Sequence, residues 1–248
     1  MGKSRVLIIG ATGNLGHQLA KASLQSSHPT FALVRDSAFS HPHKRQILQT
    51  LSDAGATLLE GSIEDESSLV EAMKQVDVVI CAVSSKQVLD QKPVIKAIKR
   101  AGCIKVIFLC FLVILETLAE ILGVFVKQSD IAAFTISAVD DPRTLNKVVY
   151  LRPPGNVYSM NELVELWESK IGKKLEKVYV TEEELLKKIK ETPFPDNMDM
   201  VFIYSAFVKG DQTYFDIEAS GGVDGTQLYP HQKYTTISEY LDTLLEEK

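Results

Sequence analysis

The sequence predicts an α/β protein with a doubly wound parallel sheet, followed by a smaller α/β region. Two observations in the first 110 residues predict this fold. Short apolar strands alternate with helices, and a glycine-rich loop joins the first strand to the first helix. Such βαβ units have right-handed crossovers, which place helices on both faces of a parallel sheet. With 248 residues, the chain is long enough for one large domain or two small ones.

The first half is expected to contain five strands and four helices. The strands are Arg5–Gly10, Phe31–Val34, Thr57–Glu60, Asp77–Cys81 and a strand from Lys105 onward. The helices are Asn14–Ser26, His41–Ala54, Ser67–Lys74 and Val88–Ala101. Continuous apolar strands of this kind are typical of a sheet that is covered on both faces.

The second half has a different pattern, in which three capping boxes mark helix starts. They pair Ser159 with Glu162, Thr181 with Glu184, and Thr236 with Glu239. The helices that they begin are Met160–Ile171, Glu182–Lys190 and Ile237–Glu246. A further helix is expected over Asp130–Val139, and strands are expected over Lys147–Leu151 and Leu175–Val180.

Composition and charge exclude several classes of protein. The formal net charge is −5, which argues against a nucleic-acid partner, because such proteins normally carry a basic face. Residues 1–110 hold 13 basic and 9 acidic residues, whereas residues 111–248 hold 14 and 23, so the two parts are expected to differ in role. Three cysteines without paired spacing predict buried free thiols in a reducing, cytoplasmic setting. No metal-ligand cluster occurs in the sequence.

The apolar run over residues 106–126 raises the question of a membrane span. It contains only Glu116 and Glu120 as charges, but its uninterrupted apolar part, Val106–Leu115, is about half the length that a span requires. A central strand of a parallel sheet has the same composition. We therefore expect no membrane partner.

The strongest chemical signal is the loop with Gly10, Gly13 and Gly16, which follows the first strand and opens a helix. Glycines there permit a sharp turn, a close approach of the backbone to a pyrophosphate and tight packing of helix on strand. The helix N-terminus then offers unpaired N–H groups to phosphates. This context predicts a dinucleotide-binding Rossmann loop; the alternative is a tight turn without a ligand.

Arg35 indicates which dinucleotide the loop would bind. It stands 19 residues after Gly16, where an acidic residue would bind the ribose 2′-hydroxyl of NAD. A guanidinium suits a 2′-phosphate instead, so NADP(H) is favoured. The alternative is a surface arginine paired with Asp36. Lys44 and Arg45 could add a cation near that phosphate, or could be solvated surface charges.

A catalytic group is not evident from the residues. One Tyr-x-x-x-Lys pair occurs, from Tyr229 to Lys233, but Pro230 lies between them. Proline would interrupt the helix that such a pair requires, so we interpret this match as part of a loop. The catalytic residues therefore remain unknown at this point.

Blocks of sequence along almost the whole chain resemble one family. They include VLIIGATGNLG, HPTFALVRDS, VIKAIKRAGCIK, DIAAFTISAVDDPRTLNKVVYLRPP, FVKGDQTYF and QLYPHQKYTTISEYL. These blocks resemble plant phenylpropanoid reductases of the isoflavone-reductase-like group, in the NmrA-like lineage of atypical short-chain dehydrogenases. The group includes pinoresinol-lariciresinol reductase, phenylcoumaran benzylic ether reductase and eugenol synthase.

The resemblance implies a Rossmann, NmrA-like fold with a smaller substrate domain. It also implies an NADPH-dependent reductase of phenylpropanoid, lignan or isoflavonoid substrates, with a small phenolic molecule as its partner and a homodimer left open. The residues that would hold NADPH are Gly10, Thr12, Gly13, Asn14, Leu15 and Gly16, with Arg35 and Lys44 at the 2′-phosphate.

The chain departs from the family after the strand at Lys105. The family has a P-S-E-F-G segment and then a helix with the catalytic lysine, whereas no lysine occurs here between Lys105 and Lys127. We expect a dinucleotide-binding domain over 1–109, an aberrant apolar junction over 110–126 and a truncated substrate domain over 127–248. A helix is expected near Phe111–Leu122, capped by Gly123.

The departure leaves the activity of the chain open. One reading is an impaired reductase that keeps the cofactor loop without the catalytic lysine. The alternatives are a non-catalytic NADP(H)-binding protein, which needs no such lysine, and an inactive splice or gene-model variant.

Overall fold

A computed structural model describes residues 2–87, 89–109 and 122–246 of the chain. Its first part contains five strands that all run parallel, with helices between them. This confirms the α/β class and the doubly wound sheet that the alternating pattern predicts.

The chain divides into two units that differ from the predicted domains. The first unit joins Met1–Leu112 with Ala132–Leu145, and the second joins Val113–Ile131 with Asn146–Lys248. The predicted boundaries had assigned residues 127–248 to the substrate domain. The difference arises because an apolar helix in the second half belongs to the first unit, as described below.

The sheet of the first unit has the strand order β3-β2-β1-β4-β5. Its strands are β1 (Val6–Ile9), β2 (Thr30–Val34), β3 (Thr57–Glu60), β4 (Val78–Cys81) and β5 (Val106–Leu109). The chain starts in the middle at β1, winds outward to β3, and then crosses back to β4 and β5. The order therefore reverses between β1 and β4, which is where ligands bind in open sheets of this kind.

Five α-helices connect these strands within the described residues; four lie close to the predicted positions, and the short α2 was not predicted. They are α1 (Asn14–Gln25), α2 (Asp36–Ser40), α3 (Pro42–Asp53), α4 (Glu66–Met73) and α5 (Gln91–Ala101). Local chemistry sets several of their ends. Asp65 accepts a hydrogen bond from the Ser67 N–H at the start of α4, and Gly102 ends α5 with a φ of +69°, a left-handed conformation that favours glycine.

The central strands β1 and β4 are buried along their whole length. Leu7 and Val79 lie in one apolar cluster with Leu69 and Met73 of α4 and Val94 of α5. Helix α1 packs on β1 and β2. Burial on both faces explains why the strands are continuous apolar runs rather than alternating ones.

Helix α6 (Gln128–Ala138) contributes most of its length to the first unit. Ala132, Phe134, Ile136 and Ala138 are all buried, and a helix that is apolar on several faces is normally enclosed by the protein. Just after it, Asp140 accepts a hydrogen bond from the Ser4 N–H over 3.4 Å. These contacts place 132–145 with the first unit.

The second unit consists of short strands and helices. Strand β6 (Leu122–Val124) runs antiparallel to β8 (Val157–Ser159), and β7 (Val149–Tyr150) runs parallel to β9 (Val223–Asp224). The helices are α7 (Met160–Ile171), α8 (Glu182–Glu191), α9 (Met198–Tyr204), α10 (Gly225–Leu228) and α11 (Ile237–Glu246), and a π-helical turn at Ser205–Lys209 continues α9. All three predicted capping boxes form, at the starts of α7, α8 and α11.

One predicted strand and the end of one predicted helix need correction. The predicted strand Leu175–Val180 is wrong, because no strand lies beside it among the described residues. The predicted helix over 111–122 falls almost wholly outside the described residues, but its last residue Leu122 and its expected cap Gly123 belong to β6. A Cβ on Gly123 would overlap the Phe207 ring, so close packing accounts for this glycine.

The expectation of buried free thiols is met at one cysteine and fails at another. Cys81 is a buried free thiol, and burial raises its pKa to about 11. Cys103 is also free but exposed, because it lies in the loop after α5. Cys110 lies outside the described residues.

Candidate functional site

The glycine loop after β1 is built by close backbone contacts. Gly10 has a φ of +91°, and a Cβ there would overlap the carbonyl group of Ala82, which follows β4. A Cβ on Gly16, in the first turns of α1, would overlap the carbonyl oxygen of Gly10. Both positions therefore require glycine, which brings the start of α1 tightly against the ends of β1 and β4.

Gly13 presents the start of α1 to solvent. Its N–H donates to the Gly10 carbonyl over 2.9 Å, and it is exposed as the residue before the helix. Among the described residues, no side chain caps α1 at this end. The first N–H groups of α1 and the positive end of its dipole are thus available to an anion.

A cleft of about 250 Å³ lies beside this loop, wholly within the first unit. We call it the strand-end cleft, because all but one of its polar side chains follow the carboxyl ends of four strands; the exception is Lys44 of α3. The residues that follow the strand ends are Thr12 after β1, Arg35 and Ser37 after β2, Ser62 after β3, and Ser84 and Gln87 after β4. Its side-chain hydroxyl and amide groups, together with the N–H groups at the start of α1, suit a polar ligand.

Arg35 lies in the strand-end cleft as the residue before α2. Its side chain is exposed. Within the described part of the chain, its guanidinium forms no ion pair, with Asp36 or with any other residue. The alternative of a surface arginine paired with Asp36 is therefore not what the structure contains.

Lys44 and Arg45, which the sequence could not separate, have different surroundings. Lys44 is half-buried, lines the strand-end cleft and has no ion-pair partner among the described residues. Arg45 donates from Nε to the Phe39 carbonyl over 2.7 Å, and so holds the end of α2. Of the two cations, Lys44 is the one available to a ligand.

The eight predicted cofactor residues fall into two groups. Five line the strand-end cleft, namely Gly10, Thr12, Gly13, Arg35 and Lys44. The other three lie in the first turn of α1. Asn14 is exposed there, whereas Leu15 and Gly16 are buried, so these two support the loop through packing.

Three serines of the cleft, Ser37, Ser62 and Ser84, were not predicted from the sequence. Each one stands within a few residues of a strand end, and that position is the signal that could have found it. The charged residues that line the cleft are Arg35 and Lys44, and its lining among the described residues includes no carboxylate. The electrostatics therefore favour an anionic ligand.

The rejected Tyr-x-x-x-Lys match does not form a helical pair. Helix α10 ends at Leu228, and residues 229–236 form a loop. The described ranges contain no group of acidic, histidine or cysteine side chains that could hold a metal. They also contain no helix long and apolar enough to cross a membrane.

A family model for the NmrA-like family matches residues 2–121 and residues 117–241. Together the two matches span nearly all of the sequence. The chain belongs to the NmrA-like family.

Several known proteins are similar to this chain over nearly their full lengths. A probable pinoresinol-lariciresinol reductase of Arabidopsis thaliana is 50% identical, with 98% of each chain covered. A phenylcoumaran benzylic ether reductase of Ginkgo biloba is 46% identical, with 98% of this chain and 99% of the relative covered. The solved complex of leucoanthocyanidin reductase with NADPH from Vitis vinifera has a TM-score of 0.86 at 30% identity, covering 96% of this chain and 98% of that one.

The alignments also show that this chain is shorter than its relatives. The alignment with the Arabidopsis protein is 305 residues long, which is 57 more than the 248 residues of this chain. At least 57 aligned positions therefore have no residue here. The two matches of the NmrA-like model meet at residues 117–121, within the segment that departs from the family pattern.

Proposed function

We propose that this chain binds NADPH in the strand-end cleft and is an NADPH-dependent reductase of phenylpropanoid, lignan or isoflavonoid substrates whose catalysis is impaired in this form. Two cations of the cleft support the choice of cofactor. Arg35 and Lys44 form no ion pair with any described residue, and the described lining of the cleft includes no carboxylate. The solved leucoanthocyanidin reductase complex, which contains NADPH, supports the choice of cofactor.

The residues present fit a dinucleotide phosphate. Glycine at positions 10 and 16 keeps Cβ atoms out of the turn, so the backbone approaches a pyrophosphate closely. The free N–H groups at the start of α1 would bind that pyrophosphate. Arg35 would bind the 2′-phosphate through its guanidinium, with Lys44 as a second cation.

The impairment follows from what the sequence lacks. No lysine occurs between Lys105 and Lys127, where the family resemblance places the catalytic lysine. Bound NADPH supplies the hydride, so the cofactor chemistry itself does not depend on that lysine. A missing general acid or base costs about 10²–10⁴-fold in rate, so we expect turnover that is slow but tied to NADPH.

The same observation favours a second candidate, a non-catalytic NADP(H)-binding protein. Such a protein needs the glycine loop and the two cations but no proton-transfer group. The two candidates predict the same cofactor affinity and differ only in turnover.

Calorimetric titration of the purified chain with NADPH and with NADH tests the cofactor part. We expect NADPH to bind about 100-fold more tightly, because two cations meet the 2′-phosphate. Equal affinities, or no heat from either, would overturn the proposal. NADPH oxidation is then followed with pinoresinol and with a coniferyl ester. Slow oxidation above the substrate-free rate supports the impaired reductase, whereas tight binding without oxidation supports the non-catalytic protein.

A further inference from the structure

The strand-end cleft carries the charges of its described lining at one end. Arg35 directly follows β2, and Lys44 lies in α3 shortly after it; both line the cleft. We call this part of the lining the cationic end. The part that follows β4 is uncharged, and we call it the neutral end. It consists of Ala82, Val83, Ser84 and Gln87.

The charged residues nearest to the neutral end in sequence do not change this contrast. Lys86 and Asp90 belong to the same loop after β4, but both are exposed, and neither lines the cleft. Their charges are of opposite sign and are screened by solvent. A ligand group at the neutral end therefore meets a hydroxyl, an amide and two apolar side chains.

The sheet topology indicates which part of a dinucleotide each end would meet. A doubly wound sheet combines two mononucleotide-binding halves, and in this strand order they adjoin between β1 and β4. The glycine loop and the cationic end both belong to the half that β1, β2 and β3 form. With the pyrophosphate at the start of α1 and the 2′-phosphate at Arg35, the nicotinamide would extend toward the neutral end.

The contacts of the two ends differ in strength. All phosphate groups of NADPH belong to its 2′-phospho-ADP part, so this part would make all the hydrogen bonds between charged groups. Such bonds are roughly twice as strong as those between neutral groups. Oxidation to NADP⁺ adds one positive charge to the nicotinamide ring, and the neutral end has no charged side chain in its described lining that would distinguish the two states.

We propose that the strand-end cleft binds 2′-phosphorylated adenine nucleotides as a class, and that the nicotinamide contributes little to the affinity. This inference rests on the proposed binding of NADPH by Arg35 and Lys44, and it adds which part of the molecule is recognised. NADP⁺ and NADPH then compete on equal terms, so the occupied fraction of the chain follows their summed concentration rather than their ratio. Slow turnover is also expected, because hydride transfer requires a ring that is held against the substrate.

Calorimetric titration of the full chain with four probes tests the ligand class. The probes are NADPH, NADP⁺, 2′-phospho-ADP-ribose, which lacks the nicotinamide, and ADP-ribose, which lacks the 2′-phosphate as well. We expect the dissociation constants of the first three to agree within about threefold, and that of ADP-ribose to be about 100-fold higher.

The outcomes separate this inference from the proposed function. Tight binding of NADPH with binding of 2′-phospho-ADP-ribose or NADP⁺ that is weaker by about tenfold or more would overturn the inference and leave the proposed cofactor intact. No heat from any probe, or equal affinities for ADP-ribose and 2′-phospho-ADP-ribose, would overturn both.

Variants at the two ends of the cleft sharpen the test. Arg35→Ala is expected to weaken NADPH, NADP⁺ and 2′-phospho-ADP-ribose by one common factor of about 30. Gln87→Ala is expected to keep the ratio of the NADPH and 2′-phospho-ADP-ribose dissociation constants near that of the wild type, whatever it does to the loop. A loss confined to NADPH and NADP⁺ in Gln87→Ala would place the nicotinamide against the neutral end and contradict the proposal.

The fluorescence of NADPH provides an independent readout, because it comes from the reduced nicotinamide ring alone. A ring that remains in solvent keeps the emission maximum and intensity of free NADPH when the chain is added to saturation. We expect this result for the wild type. A shifted and enhanced emission would show that the ring is enclosed by the protein, which would also overturn the inference.

Discussion

The two ends of the parallel sheet differ in whether their cations have an acidic partner. At the amino ends of the strands, Arg5, Asp77 and Lys105 precede β1, β4 and β5. Asp77 accepts hydrogen bonds from the Arg5 N–H over 3.0 Å and from Arg5 Nε over 2.9 Å, and Lys105 Nζ lies 3.4 Å from its other oxygen. At this end, both cations lie against one carboxylate.

At the carboxyl ends, Arg35 and Lys44 line the strand-end cleft without a partner among the described residues. An unpaired cation contributes little to the stability of the fold and lowers it where like charges approach. The contrast teaches where to look in such a sheet. At the amino end of the strands, the cations have an acidic partner, and their contacts stabilise the unit. At the carboxyl end, they have none among the described residues, so this end is the one to test for a ligand.

The largest expected effect comes from adding a Cβ atom at Gly16 of the glycine loop. In Gly16→Ala, the new Cβ would overlap the Gly10 carbonyl, so the loop must move away from α1. We expect the free energy of unfolding to fall by about 1–3 kcal/mol and NADPH binding to be lost. Chemical denaturation and calorimetric titration measure these two quantities.

Gly13→Ala is the matched control for the fold. Its Cβ would lie 3.4 Å from the Gly10 carbonyl oxygen, at ordinary contact distance, and Gly13 has a φ of −85°. We expect the free energy of unfolding to change by no more than about 0.5 kcal/mol. If Gly16→Ala were as stable as Gly13→Ala and bound NADPH normally, the tight packing of this loop would have no role.

The next effect is a change in the preference for NADPH over NADH, caused by substitutions in the strand-end cleft. Arg35→Ala is expected to weaken NADPH binding about 30-fold, because a charged hydrogen-bond donor to the 2′-phosphate is lost. Lys44→Ala is expected to weaken it less, since lysine acts as a point charge rather than a bidentate donor. Calorimetric titration of both variants with NADPH and NADH measures this.

NADH affinity should be unchanged in both variants, because NADH has no 2′-phosphate. Lys99→Ala is the matched control, since Lys99 is an exposed cation of the same unit that does not line the strand-end cleft. Equal losses for NADPH and NADH in Arg35→Ala would mean that the guanidinium does not distinguish them.

What the sequence could predict depends on how local each feature is. The five strands, the glycine loop and Arg35 were predictable, because neighbours in sequence determine short apolar runs, turns and strand ends. The cleft serines Ser62 and Ser84 were not, because they come together only when separate strands pair. The strand over 175–180 was predicted from propensity alone, and it failed because a strand also needs a partner.

Removing the carboxylate at the amino ends of the strands is expected to lower the stability of the fold moderately. In Asp77→Asn, the carboxylate that accepts from Arg5 and faces Lys105 is lost. We expect the free energy of unfolding to fall by about 1–2 kcal/mol, the range for partly exposed charged hydrogen bonds. The NADPH dissociation constant should stay unchanged, because this end is remote from the cleft. A weaker affinity for NADPH in Asp77→Asn would show that the two ends of the sheet are coupled.

The smallest expected effect is a pH dependence of the stability that Asp77→Asn loses relative to the wild type. The Arg5 side chain and backbone hold the pKa of Asp77 well below its usual range. A carboxylate with a lowered pKa stabilises the fold above its unfolded-state pKa of about 4, and this contribution is lost as the pH falls toward the folded-state value.

The difference in unfolding free energy between wild type and Asp77→Asn should therefore stay constant from neutral pH to about pH 5 and narrow steadily below about pH 4. Urea denaturation of the cofactor-free proteins along this pH series measures it. Other carboxylates with lowered pKa values, such as Glu66 beside Lys96 and Arg100, titrate in both proteins and cancel in the difference. A difference that stayed constant down to the lowest pH would mean that Asp77 stabilises the strand ends by its hydrogen-bond geometry rather than by its charge.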